Sequence, residues 1–164
     1  MAFDSKLQRQ VFGQFATGVT VVTTGTGANR TGLTANAVCS LSLNPPLVLV
    51  SIDLRSTTRD EIRANNSFAL SILSDQQREA SQRFATPGPK DFSGLDWRTA
   101  ETGAPILEGA LAWVDCRLHS VLPGGDHEIF VGEIVAGGLG DGGNPLLYFA
   151  GKYRDVAPVA PPTN

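Results

Sequence analysis

Small hydrogen-bonding side chains occupy a run of even positions in one stretch of this chain: Thr34, Asn36, Ser40 and Ser42. On a strand, alternate side chains share a face, so these residues form a row of hydroxyl and amide groups. Cys39, Leu41 and Leu43 are then expected on the apolar face opposite. Such a surface suits a flat ligand with polar edges, and equally a solvated strand with a Ser/Thr stripe. Asp53-Leu54-Arg55-Ser56-Thr57-Thr58 follows, at the start of a predicted helix. The hydroxyls of Ser56 and Thr58, the open amides of a first helical turn and the nearby Arg55 all favour an anion. An ordinary helix cap uses the same residue types. His127 comes directly after Gly124-Gly125-Asp126, a tight turn that projects the imidazole from the start of a strand. No P-loop, nucleophile elbow or zinc-protease motif is present.

Composition bounds the possibilities. The chain has 164 residues, 41% of them hydrophobic and 18% charged, which predicts a soluble globular protein. One domain over residues 1–154 is expected, followed by a disordered Pro-rich tail over 155–164. A net charge of −3 without a Lys/Arg cluster argues against a nucleic-acid surface. No apolar run approaches the ~20 residues of a membrane span, and the N-terminus lacks the order of a signal peptide, so a cytoplasmic location is expected. Cys39 and Cys116 are the only cysteines, and both are expected inward as small hydrophobes. The alternation places Ala112, Val114, Cys116 and Leu118 inward, and Trp113, Asp115, Arg117 and His119 outward. Cys116 and His119 thereby fall on opposite faces, and no metal site is expected. Gly138-Leu139-Gly140-Asp141-Gly142-Gly143 matches a dinucleotide fingerprint in letters, but Asn144-Pro145 and a β-like run follow it. That fingerprint must open a helix, so the segment is expected to be a turn.

The elements that must position these residues follow from periodicity. A first helix over about 6–16 carries Leu7, Val11, Phe12 and Phe15 as its apolar stripe. The β-branched run over 19–24 and the segment 31–35 are strands, and two more strands flank the Asn44-Pro45-Pro46 turn. A short helix runs from Thr57 or Thr58 to Asn65, a strand over 67–73, and a helix capped by Asp75 to about Phe84. Residues 86–109 show no regular period and are expected to form a functional cover or a mobile segment. A long hairpin spans about 110–122 and 127–136, and a last strand lies over 146–149. Strands mostly follow strands, which predicts a mainly β protein with a few helices, an antiparallel barrel and not a doubly wound sheet.

The stretch Gly32 to Asp53 resembles the signature of the short-chain NAD(P)H:flavin oxidoreductases, the reductase components of two-component flavin-dependent monooxygenases. Arg9 to Val19, Gly125 to Glu133 and Pro145 to Tyr153 agree with that family in order and spacing. The resemblance implies a Greek-key split barrel that binds flavin, assembles as a homodimer and reduces FAD or FMN with NADH or NADPH. Reduced flavin would pass to a partner monooxygenase. Hydride transfer needs two stacked rings held in place and little acid or base, consistent with a chain that shows no catalytic triad. By the resemblance, Thr34, Ala35, Asn36 and Ala37 line the flavin ring, with Ser51 and Asp53 on the next strand. Ser56 and Thr58 grip the flavin phosphate, while Arg83 and Phe84 contact the ribityl chain or the adenine. His127 positions the nicotinamide, and Tyr148, Gly151 and Tyr153 form a nicotinamide or dimer groove. Ala150 departs from the family, standing where many relatives carry a basic residue. The lack of an arginine pair favours NADH, and the long 86–109 segment has room to cover the adenine of FAD. Two alternatives remain at this point: a flavoprotein of this fold with tightly held FMN and another substrate, and a flavin-binding module without catalysis.

Overall fold

The computed structural model describes residues 3–157. In chain order the elements are α1 (Ser5–Phe12), β1 (Thr17–Gly18), β2 (Thr20–Thr24), β3 (Thr31–Ala35), β4 (Val38–Leu43), β5 (Pro46–Asp53), α2 (Thr57–Asn65) and β6 (Ser67–Ile72). They continue with α3 (Arg78–Ala85), β7 (Trp97–Arg98), β8 (Ile106–Leu107), β9 (Ala112–Gly124), β10 (His127–Leu139), β11 (Leu147–Phe149) and β12 (Lys152–Arg154).

Seven strands form one antiparallel sheet in the order β3-β2-β6-β9-β10-β5-β4. Its spine is the β9–β10 hairpin, whose register slips between Val131 and Gly132 and again between Ile134 and Ala136. Such irregularities bend a strand and increase its twist. The sheet curls until β3, at one edge, and β5, next to the other, line a common cleft. This is the antiparallel split barrel expected from the sequence, with β1-β11-β12 and β7-β8 as smaller sheets beside it.

The β-branched run of β2 is buried on both faces of the sheet. Val22 enters the barrel core with Val50, Ile52, Ile62, Phe68, Leu70, Cys116 and Phe130. Val21, one residue earlier, points the other way, into a second core with Leu73, Ala80, Phe84, Phe92, Leu107 and Leu146. The two-residue period of a strand thus feeds two cores at once. The buried threonines of β2 satisfy their hydroxyls on backbone: Thr20 donates to Ala35 O and Thr24 to Ser67 O, both at 2.7 Å, and Thr23 donates to Pro105 O. Buried hydroxyls left without such partners would each cost about 1–3 kcal/mol.

Several expectations are corrected. The first helix ends at Phe12, where Gly13, the poorest helix former nearby, caps it, and its stripe of Leu7, Val11 and Phe12, with Phe15 beyond it, lies exposed. Cys39, Leu41 and Leu43 are also exposed, because β4 is the edge strand and no element among the described residues covers that face. Asp115, expected outward, is fully buried. The outer face of β9 is covered there by residues 100–106, and both Asp115 oxygens accept from Thr102, one from the backbone amide at 2.8 Å and one from the hydroxyl at 2.5 Å. The cap before α3 belongs to Ser74, reciprocally paired with Gln77, and the first turn from Asp75 is a 3-10 turn. The 86–109 segment contains β7 and β8, which pack against the barrel. Cys116 is buried as expected, with its thiol pushed up to about 12 by desolvation and by Asp115, while His119 is exposed. Residues 138–143 finish β10 and turn without opening a helix. Of the expected tail, residues 158–164 lie outside the described residues, and Asp155 pairs with Arg78 at 3.3 Å. Among the described residues no helix is long and apolar enough to cross a membrane.

Candidate functional site

A cleft of about 780 Å³ opens where the two ends of the curled sheet face each other. Its apolar floor comes from Leu33 and Ala35 of β3, Ile52 of β5 and Phe84 at the end of α3. Phe84 lies close against Gly32, where an added Cβ would come within 3.1 Å of the ring. Glycine here lets the aromatic wall approach the strand backbone.

Polar groups ring this floor. Thr34 donates its hydroxyl to Ser81 O at 2.6 Å, and the Asn36 amide donates to the Thr17 hydroxyl at 3.2 Å. Asn36 and Ala37 form the break between β3 and β4, and the Ala37 carbonyl accepts from Ser51 N at 3.0 Å. This break stops the Thr/Asn/Ser row from lying on one strand face as the sequence suggested: Thr34 and Asn36 stay at the cleft, while Ser40 and Ser42 continue away on the edge strand.

Asp53, Arg55, Ser56 and Thr57 form the end of the cleft where β5 turns into α2. Asp53 Oδ1 accepts from the Arg55 backbone amide at 2.8 Å and from its Nε at 3.0 Å, and Oδ2 accepts from Nη2 at 2.6 Å. This clamp holds the Asp53 carboxyl well below the usual carboxylate range. Ser56 is the N-cap of α2, yet its hydroxyl bonds no amide of the helix. The first turn therefore keeps donors without a side-chain partner, the arrangement that attracts a phosphate or carboxylate. Thr58 behaves differently. It is buried, and its hydroxyl donates to Gly32 O at 3.1 Å, which ties α2 to β3 beneath the cleft.

His127 begins β10 and pairs in register with Asp53 across β5. Its Nδ1 lies 2.7 Å from Asp126 Oδ1. An ionised carboxylate only accepts, so the shared proton sits on Nδ1, and Nε2 has no protein partner among the described residues.

The structure thus brings together Thr34, Ala35, Asn36, Ala37, Ser51, Asp53, Ser56, Phe84 and His127. Thr58 lies below the cleft. Arg83 turns away from it to bond Ser93 O at 2.7 Å and Glu79 at 3.0 Å. Tyr148, Gly151 and Tyr153 belong to the small β1-β11-β12 sheet and do not line the cleft within one chain. Tyr153 still connects to it, because its hydroxyl lies 2.7 Å from Ser81 Oγ and the Ser81 carbonyl receives Thr34. Sequence reasoning missed Lys90, which lines the cleft with Pro87, Gly88 and Pro89. The available signal was a lone lysine directly after Pro87-Gly88-Pro89 and before Asp91.

Residues 12–157 match the flavin reductase like domain, and the chain belongs to that family. It is 40% identical over 157 residues to an NADH-dependent FAD reductase of Streptomyces globisporus, covering 93% of this chain and 86% of that protein. Identity is 38% over 159 residues to HsaB, the reductase subunit of a flavin-dependent monooxygenase of Mycobacterium tuberculosis, covering 94% of this chain and 84% of the relative. Among solved structures, the Streptomyces globisporus NADH:FAD oxidoreductase in complex with NAD and FAD fragments superposes with a TM-score of 0.89 at 38% identity, covering 98% of this chain and 99% of that one.

Proposed function

We propose that this protein is an NADH-dependent flavin reductase that acts on FAD and supplies reduced flavin to a separate monooxygenase. The observation that carries this reading is the cleft itself: an apolar floor between β3, β5 and Phe84, with the uncapped start of α2 at one end and His127 on the rim. A planar ring fits the floor, its phosphate fits Ser56 and the open first turn, and polar ring edges meet Thr34, Asn36, Ala37 and Ser51. Bound flavin supplies the hydride-accepting ring, and the chain contributes position and shape. His127, whose Nε2 has no partner among the described residues, orients the nicotinamide carboxamide over that ring. The relatives named as an NADH-dependent FAD reductase and as a reductase subunit support the donor, the flavin and the monooxygenase partner.

The exposed apolar stripe of α1 and the bare face of β4 support a homodimer, in which Tyr148, Gly151 and Tyr153 reach the nicotinamide side of a cleft. Dependence on reduced nicotinamide and two free thiols support a cytoplasmic location, and residues 1–154 act as one flavin reductase domain. Purified protein mixed with NADH and FAD should consume NADH catalytically, with a rate that depends on added flavin. Absence of flavin-dependent NADH oxidation with FAD, FMN and riboflavin alike would overturn the reading.

A further inference from the structure

Thr34 and Asn36, two polar side chains on the rim of the cleft, are both tied to the small β1-β11-β12 sheet outside it. Asn36 donates to the Thr17 hydroxyl of β1 at 3.2 Å. Thr34 donates to Ser81 O of α3 at 2.6 Å, and Ser81 Oγ lies 2.7 Å from the Tyr153 hydroxyl of β12. Thr17, Tyr148 and Tyr153 are in register across the three strands of that sheet. One row of the small sheet therefore reaches the cleft rim at two places.

The route through Ser81 is the more firmly held. Ser81 is fully buried, and Tyr153 is half-buried with its ring packed on the second core. Arg78, which opens α3, lies over the Tyr153 ring at 5.6 Å and pairs with Asp155 at 3.3 Å. The last strand and the residue after it thus grip α3 at its first and fourth positions. The same helix carries Phe84, the aromatic wall of the cleft. A buried serine hydroxyl in a helix ordinarily bonds a carbonyl one turn back. Here its partner comes from outside the helix, so the bond fixes where α3 stands.

The proton count gives this tether a chemical meaning. A threonine hydroxyl has one proton, and Thr34 spends it on Ser81 O, so toward a ligand it can only accept. The ring edge of an oxidised flavin offers a matching donor, an N–H between two carbonyls. A shift of α3 away from β3 would return the proton and let the same hydroxyl present a donor instead. Resting on the flavin reduction proposed above, we infer that Tyr153 is a positioning residue for the flavin ring. Through Ser81 it holds α3 where the Thr34 hydroxyl is kept as an acceptor at the cleft.

Tyr153→Phe keeps the ring and deletes only the hydroxyl, and Ser81→Ala cuts the same bond from the other end. Riboflavin, FMN and FAD share the flavin ring and differ in their phosphates. Calorimetric Kd values for all three should be measured on the wild type, on both variants, on Thr34→Val and on the double variant Tyr153→Phe with Thr34→Val. Steady-state KM values for NADH at saturating FAD complete the set. Tyr153→Phe and Ser81→Ala should each raise all three Kd values by one common factor of about fivefold, the scale of one net hydrogen bond, with the NADH KM unchanged. In the Thr34→Val background, Tyr153→Phe should change them by less than about twofold, because nothing remains for it to position. Unchanged Kd values overturn the inference. So does a Tyr153→Phe effect that persists in full without the Thr34 hydroxyl, which marks a generally loosened fold. A change confined to the NADH KM overturns it too, and puts the phenol on the nicotinamide side. A wild type that binds none of the flavins overturns the reductase reading, and this inference with it.

Discussion

Replacing Ser56 with Ala removes a hydroxyl that caps nothing, whereas replacing Thr58 with Val cuts a buried bond to the Gly32 carbonyl. The two substitutions should therefore part company. Ser56→Ala is expected to weaken flavin binding about tenfold with an unchanged Tm. Thr58→Val is expected to cost about 1–3 kcal/mol of stability, with flavin binding changed only through the fold. Calorimetric Kd values and thermal melts on both variants check this, and the reverse pattern would exchange their roles. For His127→Ala, the NADH KM should rise or hydride transfer should slow while flavin affinity stays near the wild type. Displacing a stacked ring by about 1 Å can cost on the order of a hundredfold in rate. Stopped-flow reduction of bound flavin at several NADH concentrations separates the two effects, and wild-type behaviour in both would leave the imidazole a surface group.

Among the elements, the β11–β12 hairpin carries a local conflict. Its two-residue turn holds Ala150 at φ 50° and Gly151 at φ 75°, the left-handed pair that such turns require. Gly151 adopts this freely and Ala150 does not. Ala150→Gly should stabilise the protein by roughly 0.5–1 kcal/mol, read as a higher Tm, and a lower Tm would show that the turn favours the methyl group. This turn also shows the limit of what could be read from residues alone. Strands announced themselves by β-branched runs such as Val19 to Thr24, and α2 was legible from Thr57 or Thr58 to Asn65. The apolar floor at Leu33 and Ile52 was not among the residues singled out, and Ala35 was named only through the family resemblance. The direction in which Cys39, Leu41 and Asp115 face was not legible either. A two-residue period says that sides alternate, and only the placement of residues 100–106 over β9, and of no described element over β4, decides which side is buried. Thr58 was misplaced likewise, because a buried threonine and a ligand-binding one share the same letter and the same helix turn. Lys90 stayed hidden because its segment has no period at all.

For the molecule as a whole, the apolar stripe of Leu7, Val11, Phe12 and Phe15 on and beyond α1, and Leu41 and Leu43 on β4, are exposed, and a second copy of the chain would cover them. Sedimentation at micromolar concentration should show a species near twice 17.3 kDa. The double substitution Phe12→Ser and Phe15→Ser should shift it toward the single chain without loss of β-sheet circular dichroism. A wild-type protein that sediments only as a monomer would remove the homodimer from the proposed function.

The Asp53–Arg55 clamp has a consequence for how long a guest stays. A guanidinium that must surrender a carboxylate to greet a phosphate has a ready substitute when that phosphate departs. The Arg55 hydrogen bonds hold the carboxyl well below its ordinary range, so the rivalry is in place at neutral pH. A delivery enzyme gains from such a built-in competitor, because its product must be let go before a second protein can use it. Asp53→Asn should therefore lengthen flavin residence, measured as a slower off-rate in a displacement experiment, and lower turnover wherever release limits the rate. A faster off-rate would mean that Asp53 holds the flavin instead of helping to dismiss it.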